Sequence, residues 1–217
     1  KTFLTDNHID RQAKMVPFSG YSMPVWFSNL KEEHLAVRNT VGLFDISHMG
    51  VLRFTGDRAA ELLQLVSCNS VDLAKKKVVY SMILNTSGGI VDDITLGFLD
   101  GHYYMVVNAS NKAKVLSWVN KWNSFNVKIE DLTLDHGFIA LQGPNAESEM
   151  KRIFNLDLSE YNRFSIFNIS FFDESCFGFR TGYTGEDGFE FCIPKSVLNR
   201  VWDHFSEYSV TLCGLAA

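Results

Sequence analysis

The stretch from Val78 to Val107 constrains this chain more than any other. Three apolar-rich runs, about 78–84, 90–98 and 102–107, are separated by Ser87-Gly88-Gly89 and by Asp100-Gly101. Glycine supplies the backbone freedom a tight connection needs, and Asp-Gly is a strong hairpin signal. The spacing predicts three consecutive strands. The middle one, IVDDITLGF, carries two adjacent aspartates. Aspartate is depleted in strands, and a buried carboxylate is costly unless something pairs with it. Side chains alternate across a strand. Ile90, Asp92, Ile94, Leu96 and Phe98 therefore share one face, and Val91, Asp93, Thr95 and Gly97 share the other. The first face is core-like apart from Asp92. The second is built of smaller residues, so Asp93 is expected to point into a cavity floored by Thr95 and Gly97. Two readings stand side by side. Either the aspartates bond to backbone amides of the glycine turn, or a carboxylate short of partners is there to handle protons.

The rest of the chain reads as α+β. A short helix is expected over Lys31–Asn39 and a strand over 51–55. Gly56-Asp57 opens a helix to about Val66, with Asp57 as N-cap and Leu62, Leu63, Leu65 and Val66 as its apolar face. Ser110 or Asn111 caps a helix to about Trp122. Strands near 127–131 and 137–141 precede a helix launched by Gly143-Pro144-Asn145. Strands around a glycine-rich turn fill 168–193, and 195–207 is an amphipathic helix. KMVPFSGYSMPVWF (14–27) reads as an ordered, packed loop. No linker composition separates two domains, so any two must be intertwined.

Composition narrows the function. The net charge of −5 argues against a nucleic-acid surface, and Lys75-Lys76-Lys77 reads as a solvated loop. The four cysteines show no CxxC spacing, which predicts free thiols in a reducing compartment and no metal site. No apolar run approaches the roughly 18 residues of a membrane span, and no signal or transit composition opens the chain. The sequence starts at Lys1 without methionine and stops in TLCGLAA without a helix stop signal, which predicts a fragment of a longer protein.

RTGYTGEDGFEF (180–191) is a second unusual stretch. It lacks the glycine order and the lysine of phosphate-binding loops. After Gly188, Phe189 and Phe191 face one way and Glu190 and Cys192 the other. Glu190 is either a solvated edge-strand residue or a cavity-wall carboxylate. In the second case its two oxygens could accept two parallel N–H bonds from a flat heterocycle such as a guanine or pterin. In GLFDISHMG (42–50), His48 could be a base but has no nucleophile in a recognisable motif, so a structural role competes. Met49 offers a soft apolar surface suited to a planar ring.

Taken together, KMVPFSGYSMPV, EEHLAVRNTVGLFDISHMG, LNTSGGIVDDITLGF, YYMVVNASNKAKVLSWV, IALQGPNA and TGYTGEDGFEF resemble, in order, the aminomethyltransferase (T-protein) family of the glycine cleavage system. The resemblance covers essentially the whole chain. It implies transfer of the methylene of an aminomethyl group, carried on the lipoyl arm of H-protein, to tetrahydrofolate, with release of ammonia. It implies no metal, no nucleic acid and no membrane, and a place in the bacterial cytoplasm or the mitochondrial matrix. The catalytic aspartate maps to Asp93 and the pterin-recognising glutamate to Glu190. Folate-lining positions map to Met49, Tyr80, Thr95, Gly97, Asn108 and Tyr183, although Thr95 and Gly97 are smaller than the residues often found there. The family fold implies two intertwined α+β domains here, 1–46 with 138–217, and an insert at 47–137. A family arginine in GLAARD and a C-terminal β-rich domain would follow Ala217. Related folate domains that demethylate dimethylglycine, sarcosine or a sulfonium compound, and a non-catalytic folate- or H-protein-binding module, are the alternatives.

Overall fold

A computed structural model describes every residue of the chain except Lys76, so the middle of the lysine run lies outside the described residues. In chain order the elements are α1 (Thr5–Asp10), β1 (Lys14–Phe18), β2 (Tyr21–Trp26), α2 (Leu30–Asn39), β3 (Gly42–Asp45), β4 (Gly50–Thr55) and α3 (Ala59–Val66). Then come β5 (Val79–Leu84), β6 (Ile90–Leu99), β7 (His102–Val107), α4 (Lys112–Trp122), β8 (Lys128–Asp131), β9 (His136–Gln142) and α5 (Ala146–Phe154). The chain closes with β10 (Ile166–Phe171), β11 (Glu174–Phe179), β12 (Gly188–Pro194), α6 (Lys195–Glu207) and β13 (Thr211–Cys213). The architecture is α+β. Two compact units are present: Lys1–His48 with Asp135–Arg163 and Phe167–Ala217, and Met49–Leu134 with Phe164–Ile166.

In the interrupted unit a six-stranded sheet runs β10-β11-β12-β9-β3-β13. β11, β12, β9 and β3 pair antiparallel, and β13 joins β3 in parallel. Alternation sends Phe189, Phe191, Ile139 and Leu141 to one face, where they share a core with Met150 and Ile153 of α5. Val197, Leu198, Val201, Trp202 and Phe205 of α6 recur at helical spacing and complete that core. Each such large side chain contributes about 1.5–3 kcal/mol by leaving water. The same alternation sends Glu190 and Cys192 to the opposite face, in the sheet's interior rather than at an edge. Glycine is required at Gly143, where φ is +140° and a Cβ would come 2.4 Å from the Thr40 carbonyl oxygen. The buried Glu33 of α2 organises another part of this unit. Its Oε1 accepts the Phe27 and Ser28 amides at 2.6 and 2.8 Å, and its Oε2 accepts the Gly214 amide at 2.9 Å.

The inserted unit is a five-stranded sheet, β5-β6-β7-β4-β8, antiparallel throughout. The three expected strands are β5, β6 and β7. Their turns carry the positive φ their residues favour: Gly88 at 82°, Asp100 at 50° and Gly101 at 83°. Leu62, Leu63 and Val66 of α3 and Val115 and Val119 of α4 pack with Ile94, Leu96 and Met105 of the sheet.

Several local expectations are corrected. Asp57 does not cap α3. The Ala59 amide bonds the Gly56 carbonyl, and the helix starts after Arg58 without a side-chain cap. Leu65 lies off the buried stripe and is exposed. Asn111 precedes α4 but makes no capping bond. Segment 14–27 is a β1–β2 hairpin rather than a loop, because Ser19 and Gly20 both take positive φ, the conformation a two-residue turn needs. Ile90 is 63% exposed, beyond the point where a register shift between Ile83 and Leu84 takes the strand end away from the core.

Glu33→Gln should test the carboxylate's role in the interrupted unit. The amide can still serve Phe27 and Ser28 but opposes the Gly214 N–H with another donor. A loss of about 1–3 kcal/mol is expected in urea unfolding of the protein; an unchanged midpoint would count against it.

Candidate functional site

β6 divides its aspartates between two environments. Asp92 is 2% exposed. Its Oδ2 accepts the Asn108 backbone amide at 2.9 Å, and its Oδ1 accepts Asn108 Nδ2 at 3.0 Å and Asn111 Nδ2 at 2.5 Å. The glycine-turn amides go elsewhere. Asn85 Oδ1 accepts Ser87 N at 3.0 Å and Gly89 N at 2.8 Å, which corrects the expectation that the aspartates serve that turn.

Asp93 is half-buried on the other face. Asn108 Nδ2 donates to its Oδ1 at 2.9 Å, and Tyr80 Oη donates to its Oδ2 at 3.3 Å. Tyr80 stands opposite Thr95 in the β5–β6 register, so Tyr80, Asp93, Thr95 and Asn108 collect on one face. Desolvation and the Asp93 charge hold the Tyr80 phenol above its ordinary range, which keeps it a donor. Tyr80 is 55% exposed and so remains open to a ligand. The floor differs from expectation at Gly97. Ile166 packs there, with its Cδ1 3.0 Å from where a Cβ would lie, so the space above Gly97 is filled by a side chain. Met49 precedes β4 and is buried.

Glu190 occupies a contrasting environment in the other unit. It sits on β12 between Phe179 of β11 and Ala140 of β9, 6% exposed. The Thr181 hydroxyl donates to its Oε2, and this is the one donor described for it. Burial pushes its pKa up to about 7, with the Thr181 bond acting in the opposite direction. A buried carboxylate with so few donors is suited to a ligand that brings N–H groups.

The glycine-rich segment is pinned beside it. Gln142 Nε2 donates to the Thr181 carbonyl at 3.0 Å, and its Oε1 accepts the Thr184 hydroxyl at 2.9 Å. Gly182 is needed for this approach, since a Cβ would fall 1.8 Å from Gln142 Oε1. Arg180 is consumed by Asp187 and Glu147, and Arg38 by the Thr184 carbonyl and Glu186. Tyr183, in the same segment, is 70% exposed. His48 is buried, its Nδ1 has no hydrogen-bond partner among the described residues, and burial lowers its pKa. It packs edge-on against Phe18 at 5.4 Å.

The sequence reading missed Asn111, Thr181 and Gln142. Asn111 and Gln142 act through partners 19 and 39 positions away, and Thr181, though inside the glycine-rich stretch, reaches Glu190 only because that stretch folds back.

The fold defines an α+β protein of two units, the chain of one interrupted by the other. The GCVT N-terminal domain family matches residues 4–217. The chain belongs to that family. It is 39% identical over 221 residues to the aminomethyltransferases of two strains of Staphylococcus epidermidis, covering all of this chain and 61% of each relative. It superimposes on the crystal structure of glycine cleavage system aminomethyltransferase T from Bartonella henselae with a TM-score of 0.91 at 31% identity, covering all of this chain and 60% of that one. The heterotetrameric sarcosine oxidase of a Corynebacterium species, in complex with pyrrole 2-carboxylate, shares the fold at a TM-score of 0.54 and 15% identity. The chain thus spans about three fifths of the length of its curated relatives. Among the described residues no helix is long and apolar enough to cross a membrane.

The raised pKa of Glu190 carries a stability consequence. Between about pH 4.5 and pH 7 the folded state holds a proton that the unfolded state has released, so stability falls as pH rises through that window. The shift corresponds to on the order of 3 kcal/mol. Glu190→Gln should flatten this part of the pH–stability curve; a curve that kept its slope would refute the assignment.

Proposed function

We propose that the protein is a tetrahydrofolate-dependent aminomethyltransferase of the glycine cleavage system. In this reading it takes the aminomethyl group from lipoylated H-protein, releases ammonia and yields 5,10-methylenetetrahydrofolate. The observation that carries the reading is the half-buried Asp93 carboxylate, held by Asn108 and Tyr80 on a sheet face that keeps Tyr80 open. Kinship with aminomethyltransferases over the full length of the chain supports it.

Tetrahydrofolate supplies an amine that captures the one-carbon unit. Asp93 would orient that amine, accept its proton and offset positive charge at the transferred carbon, tasks a fixed carboxylate performs well. Glu190 would recognise the pterin. Its buried carboxylate, with a single hydroxyl donor among the described residues, has acceptor capacity that paired N–H groups would satisfy. Tyr80, Asn108, Thr95, Met49 and Tyr183 are proposed as folate-lining residues. Gly97 is kept as the point where Ile166 closes over the sheet. We also assign the two units as separate domains, one inserted in the other.

In the full-length protein, Asp93→Asn should keep the fold and lower methylene transfer roughly 10²–10⁴-fold, the range for loss of a positioned acid–base group. The assay is tetrahydrofolate-dependent ammonia release from aminomethylated H-protein. Near-normal turnover would remove Asp93 from the mechanism. Glu190→Gln should weaken tetrahydrofolate binding by about 1–3 kcal/mol in calorimetry; unchanged affinity would take Glu190 out of the site.

A further inference from the structure

We propose that Asp92 is a positioning residue for Asp93 and acts through the side-chain amide of Asn108. The inference rests on the reading of Asp93 as the reacting carboxylate and goes beyond it by assigning work to the buried neighbour. The two aspartates leave β6 on opposite sides, so a group that bonds both must come from outside the strand. Asn108 lies one residue beyond the end of β7, free of the strand's alternation, and its Nδ2 reaches both. That nitrogen is 3.0 Å from Asp92 Oδ1, 2.9 Å from Asp93 Oδ1 and 3.2 Å from the Asp93 carbonyl oxygen.

An amide nitrogen carries two hydrogens, enough to serve both carboxylates. The other end of the amide is a carbonyl oxygen, which two carboxylates would repel. Asp92 and Asp93 together therefore dictate which way the Asn108 amide faces. Asp92 also holds Asn108 from behind by accepting its backbone N–H at 2.9 Å. Asn111 braces Asp92 in turn. Its side chain bonds Asp92 although a helix-capping role was open to it at the start of α4. A purely architectural Asp92 would need only the backbone amide and Asn111. The bond to Asn108 Nδ2 is what couples it to Asp93. Of the two bonds that set the Asp93 carboxylate, the one from Asn108 is the shorter, at 2.9 Å against 3.3 Å from Tyr80.

Asp92→Asn places an amide against the amides of Asn108 and Asn111, so the clamp loses its complementarity. In the full-length protein kcat for methylene transfer should fall roughly 10- to 100-fold, the scale of a small misplacement of a reacting group, with KM for tetrahydrofolate little changed. Asp92→Asn added to Asp93→Asn should cost nothing further, because one acts through the other. Losses that multiply in the double variant, or an unchanged kcat in Asp92→Asn, would overturn the proposal. Asn111→Ala is the milder variant and carries the kinetic test should Asp92→Asn not fold. It should lower kcat in the same direction, and an unchanged kcat there overturns the proposal. A second readout is independent of turnover. The side-chain NH₂ signals of Asn108 in the nuclear magnetic resonance spectrum should shift on Asp93→Asn. Held by both carboxylates, these hydrogens should exchange slowly with solvent, and that protection should be lost on Asp92→Asn, or on Asn111→Ala if that variant stands in. Exchange that stays slow sinks the coupling. If the unmodified protein catalyses no transfer, the functional reading fails by itself, and these signals decide the positioning claim.

Discussion

Successive side chains of a strand must leave on opposite sides, and this constraint shapes the chemistry of the inserted unit. Two adjacent aspartates cannot both face a ligand, so one is forced toward the core. The structure meets the cost of that burial with donors from the β7–α4 turn, which bring Asn108 and Asn111 to Asp92. The donors arrive because β7 ends where it does, one residue before Asn108. The turn is thereby tied to β6, and the same amide that satisfies the inner carboxylate meets the outer one.

The interrupted unit solves a related problem differently. Glu190 is also forced off the face that carries Phe189 and Phe191, and it is also buried. It receives one hydroxyl donor where Asp92 receives three hydrogen bonds. Desolvation then dominates, and its pKa rises to about 7. The contrast is one of environment rather than residue type. A well-supplied carboxylate works as a fixed anchor, and an under-supplied one is ready for a partner that brings its own N–H groups. Gln142 and the close approach at Gly182 keep Thr181 beside Glu190, so a glycine with no obvious local purpose supports the site at one remove.

The parts of this arrangement that were legible in the sequence depend on local physics. Asp100-Gly101 and the turn at Gly88 take positive φ as their residue types demand, and the division of 90–98 into two faces follows from backbone geometry. The failures are equally specific. Asp57 and Asn111 are good capping residues that do not cap, because Gly56 supplies a turn bond in one case and Asp92 takes the amide in the other. Gly97 reads as open floor until Ile166 is placed over it, 69 positions further along the numbering (166 − 97). Ser19-Gly20 was a usable hairpin signal that the aromatic and proline content of 14–27 obscured.

The sequence by itself determined the strand order of the hairpins, the faces of β6 and β12, the α+β class and the kinship with a family, since each follows from short-range spacing or from phrases read in order. Which donors reach each carboxylate was decided only by the tertiary structure. Asn108 meets Asp92 and Asp93 from fifteen or more positions away, and Thr181 meets Glu190 across a folded-back loop. The strength and polarity of such sites depend on burial and on partners brought together by chain folding, and neither quantity is written in any local run of residues.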